Sequence, residues 1–258
     1  MDVFKRLYSY RELLKSNVKK EIRGKYKGSF LGILWSFINP LLTVLVYAIV
    51  FPYILRVKQD NYLIFLIVGV IPWNFFTTVV QQGTTTILGN ENIIKKVFFP
   101  REILPISVAT SALINFFISC IIVFIFVIAS GIGIHKYVIL LPIIAIIQYM
   151  LSLGITFILS AINVYVRDVE YIVNFLVTML FYGTPVLYSL STFGNGFISK
   201  LINLNPMTHI IEAYRSILYY LTWPDFKSLG LVALFSFIVM IIGYFIFRKL
   251  EKGFAEEL

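Results

Sequence analysis

Six stretches of this 258-residue chain carry no Asp, Glu, Lys, Arg or His, and they limit what it can fold into more than any other feature. They run over residues 28–55, 61–90, 103–134, 137–166, 171–199 and 228–247. A helix needs roughly 20 predominantly apolar residues to cross the hydrocarbon core of a bilayer. In lipid every backbone N–H and C=O has to be satisfied inside the segment, so helix is the natural form for such a run. The expected class is an all-α integral membrane protein with six transmembrane helices. Several runs exceed one crossing, which predicts tilt, an interfacial extension or a broken helix.

The charges between the runs predict an orientation. Nine basic residues, Lys5, Arg6, Arg11, Lys15, Lys19, Lys20, Arg23, Lys25 and Lys27, precede the first run. With six crossings both ends share a side, where Arg248, Lys249 and Lys252 join Lys95, Lys96, Arg101 and Arg167. That side holds 16 of the 22 basic residues, leaving Arg56, Lys58, Lys136, Lys200, Arg215 and Lys227 on or near the other. The positive-inside rule then puts both termini in the cytoplasm. Topology accounts for the net charge of +9, and no basic patch interleaved with aromatics points to nucleic acid. At 59% hydrophobic and 14% charged, with a mean hydropathy of +0.87, the chain is far from a soluble domain. The charged N-terminal stretch and the long run after it do not fit a secretory signal. Cys120, the single cysteine, sits in an apolar run and reads as packing.

Near the start, Val3, Leu7, Tyr10, Leu14 and Val18 recur at helical spacing, with Lys5, Glu12, Lys15 and Lys19 on other faces. Residues 1–27 are therefore expected to form an amphipathic helix in the cytoplasmic interface, as an anchor or also as a contact for a partner. Gly24, Gly28 and Gly32, four apart, either allow close helix packing or mark the start of the first span, and Pro40 is expected to kink it. In the second run Pro72-Trp73-Asn74 interrupts an apolar sequence. Gln81, Gln82, Gly83 and Thr84 to Thr86 make its cytoplasmic half polar, so that half is expected to face the bundle interior.

Residues 86–102 form a polar break between the second and third runs. Asn90 or Asn92 is placed to cap a short helix with Glu91 and Ile94 inside it. Lys95 and Lys96 fall in its last turns, where cations suit the dipole. Val97, Phe98 and Phe99 offer an apolar plug before Pro100 and Arg101. Such an element reads as a docking surface, with a plain loop as the alternative. Arg167 and Asp168, close to Glu170, are expected to satisfy each other or a helix end, a gate being the sharper reading. The fifth run carries Phe175, Phe181, Tyr182, Gly183, Pro185 and Tyr188, an aromatic outer half with a break. A seventh crossing would reverse the C-terminus, so residues 189–223 are read as two half-helices dipping in from outside. There Glu212 and Arg215 make an ion pair, buried or solvated, and with Tyr188 they are candidates for an external gate. His135 is expected at the surface, and the charged tail from Arg248 onward is placed to meet a cytoplasmic subunit.

No glycine-rich phosphate loop, dinucleotide fingerprint or HExxH pair is present, and His135 and His209 build no metal cluster. No cofactor or metal is expected on this chain, no catalysis by it, and any ATP has to be used elsewhere. Its 24 Phe, 16 Tyr and 3 Trp are spread through the runs and not gathered in two interfacial belts. Tyr47, Phe51, Phe175, Phe181 and Tyr182 are candidates to line a path, because aromatic faces with hydroxyls suit sugar rings; packing or lipid contact is the alternative for each.

These features together resemble the transmembrane subunit of ATP-binding-cassette exporters of cell-surface polysaccharides, the type-two permeases that move lipid-linked O-antigen, capsule or teichoic acid chains. The resemblance covers nearly the whole length, and residues 1–258 are expected to form one transmembrane domain. It rests on Arg23, Tyr26, Ser29, Leu31, Gly32, Trp35 and Pro40, and on Lys95, Phe99, Pro100, Arg101, Glu102 and Pro105. Arg167 and Asp168, then Thr184, Pro185 and Tyr188, then Asn205, Pro206, Met207 and Arg215, extend it along the chain. It implies a homodimer in the bacterial inner membrane joined to two nucleotide-binding ATPase subunits that hold ATP and Mg. It also implies that residues 90–99 are the coupling helix and that two re-entrant helices form the external rim. The dimer would enclose an aromatic channel for an undecaprenyl-diphosphate-linked glycan. Arg23, Lys25 and Lys27 would meet the diphosphate, with Arg167 and Asp168 near the cytoplasmic entrance. A permease of the same build for a drug or small lipid is the alternative. A secondary transporter would need coupling groups at membrane depth beyond Glu212 and Arg215, and a glycosyltransferase more than Asp168 and Glu170.

Overall fold

The computed structural model describes residues 8–24, 28, 30, 32–55, 61–190 and 196–258, without the side chains at 33, 36, 37, 51–55 and 255. Among them regular structure is helical throughout. Four helices are long and apolar enough to cross a membrane: α3 (Tyr62–Thr85), α5 (Ile103–Ala129), α6 (Leu141–Tyr165) with a 3-10 lead-in, and α10 (Phe226–Leu250) with a 3-10 extension. Shorter apolar helices accompany them, Ile38–Val50 within α2 (Trp35–Leu55) and α7 (Val169–Tyr182). The chain is an all-α, multi-pass membrane protein.

The fifth run does not make one long helix. α7 has 14 residues, about 21 Å at 1.5 Å per residue, against a hydrocarbon core of about 30 Å. Gly183, Thr184 and Pro185 end it, since proline lacks the N–H that would continue the ladder and disfavours helix in the residue before it. Two short helices follow, α8 (Phe197–Leu204) and α9 (Pro206–Leu218). Asn205 starts α9 with Pro206 in its first turn, its side-chain oxygen accepting from Met207 N at 3.0 Å. Pro72, by contrast, does not interrupt α3, which runs unbroken through it.

α3 is the axis of the bundle: 78% of its most apolar window is buried, against 22% for α10. Side chains of α6 tie it in place. Gln148 Nε2 donates to Pro72 O (2.7 Å), Thr156 Oγ1 to Val79 O (3.1 Å) and Asn163 Nδ2 to Thr84 O (3.2 Å). These residues, with Ser152 and Ser160, form a buried polar seam at helical spacing along α6. Gly83 lets α3 and α6 close up, since a Cβ there would stand 2.2 Å from Thr156 Cγ2.

α1 (Arg11–Gly24) packs on α5 through one side, with Tyr10 and Leu13 against the core. On its outer side Lys15, 2.9 Å from Glu12, holds that carboxyl below its ordinary value. Among the described residues no other helix packs on the glycines at 24, 28 and 32. Gly28 (φ 80°) and Gly32 (φ 50°) take left-handed backbone, and nothing lies within 4 Å of a Cβ built on Gly24, Gly28 or Gly32. Pro40 lies within α2, in its second turn.

Candidate functional site

A groove of about 230 Å³ runs between α2, α3 and α7. Its aromatic wall is Tyr47, Trp73, Phe181 and Tyr182. The ring centroids of Phe181 lie 5.9 Å from Tyr47, 5.7 Å from Trp73 and 5.3 Å from Tyr182. Asn74, Thr77 and Gln81 on one face of α3, at i, i+3 and i+7, also line it, with Thr43 and Thr178. Thr43 and Thr178 spend their hydroxyls on their own helices, donating to Asn39 O and Asn174 O. Thr77 Oγ1 is buried without a hydrogen-bond partner among the described residues. The groove thus offers rings for stacking and the amides of Asn74 and Gln81 for hydrogen bonding, side by side.

Three of the five residues expected to line a path, Tyr47, Phe181 and Tyr182, meet in this groove. Phe175 stands outside it on an open stripe of α7 with Tyr171, Met179 and Tyr182, all more than half exposed. The side chain of Phe51 lies outside the described residues. Trp73, Asn74, Thr77 and Gln81 were not singled out as lining. The 74, 77, 81 spacing on a helix was the signal that would have found them.

The break after α7 is held by one buried cation. Arg215 on α9 is fully buried and donates to Pro185 O, to Val186 O (2.7 Å), to Tyr188 O (3.4 Å) and to Glu212 Oε1 (2.9 Å). Its guanidinium covers the Phe65 ring at 3.5 Å. The expected trio Tyr188, Glu212 and Arg215 is therefore brought together, and the ion pair is buried at its Arg end. Gly69 leaves room for it, as a Cβ there would lie 2.9 Å from Val186 O and 3.1 Å from Arg215 Nη2. Asn205 Nδ2 adds a bond to Thr184 Oγ1 (2.8 Å), and Tyr62 hydroxyl one to Leu187 O (2.8 Å).

At the polar break the helix is shorter than expected. A 3-10 turn, Leu88–Asn90, leads into α4 (Glu91–Ile94), and residues 97–100 carry no regular structure. Asn90 does not cap α4 with its side chain. Its Nδ2 donates to Thr86 O (2.8 Å), and its Oδ1 accepts from Lys20 Nζ of α1 (2.9 Å). Phe98 is 95% exposed while Phe99 is buried, so the plug is split: Ile93, Val97 and Phe98 face out, Ile94 and Phe99 face in. Lys95, Lys96 and Glu91 lie along the same segment, with Lys95 3.8 Å from Glu91. Arg101 turns inward, donating to Glu251 O at 2.5 Å.

Of the residues expected near a headgroup, Arg23, Arg167 and Asp168 fall among the described residues. Arg23 is exposed at the end of α1, and Lys25 and Lys27 lie outside the described residues. Arg167 and Asp168 are exposed in the turn between α6 and α7, and among the described residues they form no ion pair with each other. Asp168 already has helical backbone (φ −67°, ψ −16°) and does not cap α7. Asn163 does so from α6, its Oδ1 accepting from Glu170 N at 3.1 Å. No three His, Cys, Asp or Glu side chains come together as a metal site among the described residues.

Proteins similar in sequence to this chain are known. An O-antigen export system permease protein, RfbA, of Myxococcus xanthus is 38% identical over 253 residues, 98% of this chain and 97% of its own length. A protein of the same description from Klebsiella pneumoniae is 33% identical over 249 residues, 96% and 95% of the two chains. The polysialic acid transport protein KpsM of Escherichia coli is 22% identical over 241 residues, 91% and 92%. The family model described as ABC-2 type transporter matches residues 12–219, which take in α1, the groove, the break and the Arg215 lock. The chain belongs to the ABC-2 type transporter family.

Proposed function

We propose that this chain is the channel-forming permease of an ATP-driven exporter that moves a lipid-linked O-antigen or related polysaccharide from the cytoplasmic to the outer face of the bacterial inner membrane. The observation that carries the cargo is the groove. Four aromatic side chains line it together with Asn74, Thr77 and Gln81, and among the described residues neither amide is hydrogen-bonded to protein. Rings and unspent polar groups in one furrow suit a sugar chain, which presents apolar ring faces and hydroxyls in alternation. Many weak contacts of this kind let a polymer slide. Relatives described as O-antigen permeases, matched end to end, support the same cargo.

The chain acts in this reading as a single transmembrane unit of six passes, α2 and α7 counted with the four long helices, with both termini cytoplasmic. Two copies face each other across the open faces of α2 and α7, where Leu42, Leu45, Val46 and Ile49 and the Tyr171, Phe175 and Met179 stripe are exposed. α8 and α9 are the re-entrant pair at the outer rim, with the Arg215 lock as its fixed point. Residues 88–98 dock into a nucleotide-binding ATPase subunit, one per copy, which holds ATP and Mg. The exposed Phe98 and Val97 beside Lys95 and Lys96 support that contact.

The test is ATP hydrolysis by the permease purified with its ATPase partner and reconstituted in lipid. Stimulation by an undecaprenyl-diphosphate-linked glycan, weakened by loss of Tyr47 and Phe181, is the expected result. A response to small amphiphiles alone, indifferent to those rings, would overturn the cargo in favour of a drug or small-lipid permease.

A further inference from the structure

The residues after α10 fold back onto the polar break. Arg101 donates to Glu251 O at 2.5 Å, and its guanidinium lies 5.7 Å from the centre of the Phe254 ring. Phe254 is fully buried, with its ring 5.6 Å from Phe247 and 6.2 Å from Tyr165. Arg248 pairs with Glu251 and stands 3.9 Å from the buried Glu102, while Lys95 reaches the carbonyl of Leu258. Tyr165, at the end of α6, donates its hydroxyl to Leu250 O at 2.8 Å.

Two carbonyls at the end of α10, those of Leu250 and Glu251, are thus capped by side chains from α6 and from the break. The last carbonyls of a helix have no partner within it, and a cation there also suits the dipole. Gly253 makes this fit, since a Cβ on it would lie 2.4 Å from the Tyr165 hydroxyl.

A four-residue helix followed by irregular chain is a poor lever by itself. The break gains stiffness from what holds it: Lys20 of α1 at Asn90, and the tail at Lys95 and Arg101. Its outer side, with Phe98, stays open.

We propose that residues 251–258 are a coupling strut, which joins the break to the ends of α6 and α10 through Arg101 and Phe254. This deepens the reading above and rests on the break being the ATPase contact. Displacement of the break then reaches α6 and α10 together, because the two are locked where a Cβ on Gly243 would stand 2.2 Å from Gly154 O. Arg101 is a positioning residue in this arrangement and not a contact for the ATPase.

The test uses the permease–ATPase complex in lipid with Arg101→Ala, Arg101→Lys, Phe254→Ala and Phe98→Ala. Three quantities are read: copurification of the ATPase, glycan exported per ATP hydrolysed, and amide hydrogen exchange over residues 251–257. Arg101→Ala and Phe254→Ala should keep the ATPase bound, speed exchange in the tail and lower export per ATP about tenfold, a usual size for coupling between sites. Arg101→Lys, which keeps the cation, should recover most of it. Unchanged export per ATP in Arg101→Ala despite a loosened tail overturns the strut, and so does an unloosened tail. Phe98→Ala reports separately. If it releases the ATPase, docking at the break stands whatever the strut does, and if the ATPase stays bound, the docking reading is what fails.

Discussion

The guanidinium of Arg215 lies 3.5 Å over the ring of Phe65, on the central helix, while its nitrogens hold the backbone of the loop that ends α7. One buried side chain thereby joins α9, α3 and the interrupted helix. The loop from Thr184 to Leu187 is buried, and backbone at such a place needs internal partners. Arg215 supplies donors for two of its carbonyls, Pro185 O and Val186 O, and for Tyr188 O just beyond it.

Arg215→Ala would leave those carbonyls and the Glu212 carboxylate without their partner. Removing the buried member of such a pair costs about 3–5 kcal/mol, a large share of the roughly 5–15 kcal/mol that keeps a typical protein folded. Arg215→Lys keeps charge but loses the flat fork and the stacking, so it should fall between. Thermal unfolding of the three proteins in one detergent should rank wild type, lysine, alanine. An alanine variant that melts like wild type would show that the loop is held by something else.

The crossing of α6 and α10 predicts a graded steric series. A Cβ on Gly154 would stand 2.6 Å from Met240 N and one on Gly243 2.2 Å from Gly154 O, both backbone atoms that cannot turn aside. Gly154→Ala and Gly243→Ala should each destabilise by about 1–3 kcal/mol, as overpacking does. Gly230, on the same α10, has nothing within 4 Å, and Gly230→Ala should be neutral or stabilising by up to about 1 kcal/mol. The comparison is made by melting temperature, and equal effects at 230 and 243 would count against the close crossing.

What could be read from the chain beforehand was set by properties that add up locally. Lack of charge over a run of residues is such a property, and it located α3, α5, α6 and α10 to within a few positions. Pairing across the fold is different. Glu212 and Arg215 were visible as neighbours on a helix, but the carbonyls of Pro185 and Val186 that complete the site come from 30 and 29 residues away. Of the glycines at 24, 28 and 32, which carried a packing spacing, Gly28 and Gly32 take left-handed backbone, whereas Gly83, Gly154 and Gly243, which do allow helix contact, lie on three different helices and share no spacing. Phe98 and Phe99 are adjacent and alike in sequence, and only the path of the chain sends one outward and the other into the core.

Asn163 serves two helices at once, donating to Thr84 O on α3 and accepting from Glu170 N at the start of α7. Asn163→Leu should cost about 1–2 kcal/mol, the usual worth of a polar contact between membrane helices with a lost cap added. Asp168→Ala, by comparison, removes a carboxylate that caps nothing and should leave stability unchanged. A larger loss at 168 than at 163 would reverse the assignment of the cap.

The groove separates a glycan from an apolar cargo most sharply when its rings and its amides are removed in turn. Tyr47→Ala and Phe181→Ala each delete a stacking face worth about 0.5–1.5 kcal/mol, so glycan-stimulated ATPase should respond at roughly two- to tenfold higher glycan concentration. Tyr47→Phe keeps the face and should stay close to wild type. Loss of rings alone would weaken an amphiphile as well, so the amides decide. Asn74→Leu with Gln81→Leu keeps the bulk of the wall and removes its hydrogen-bonding groups. A sugar chain leaves hydroxyls unpaired against leucine and should lose stimulation, because a polar group desolvated without a partner is costly. An apolar drug or lipid meets a better wall and should bind as well or better. Stimulation by glycan that survives the double leucine variant would place the sugar path elsewhere in the dimer and leave this groove as a surface that helices pack upon.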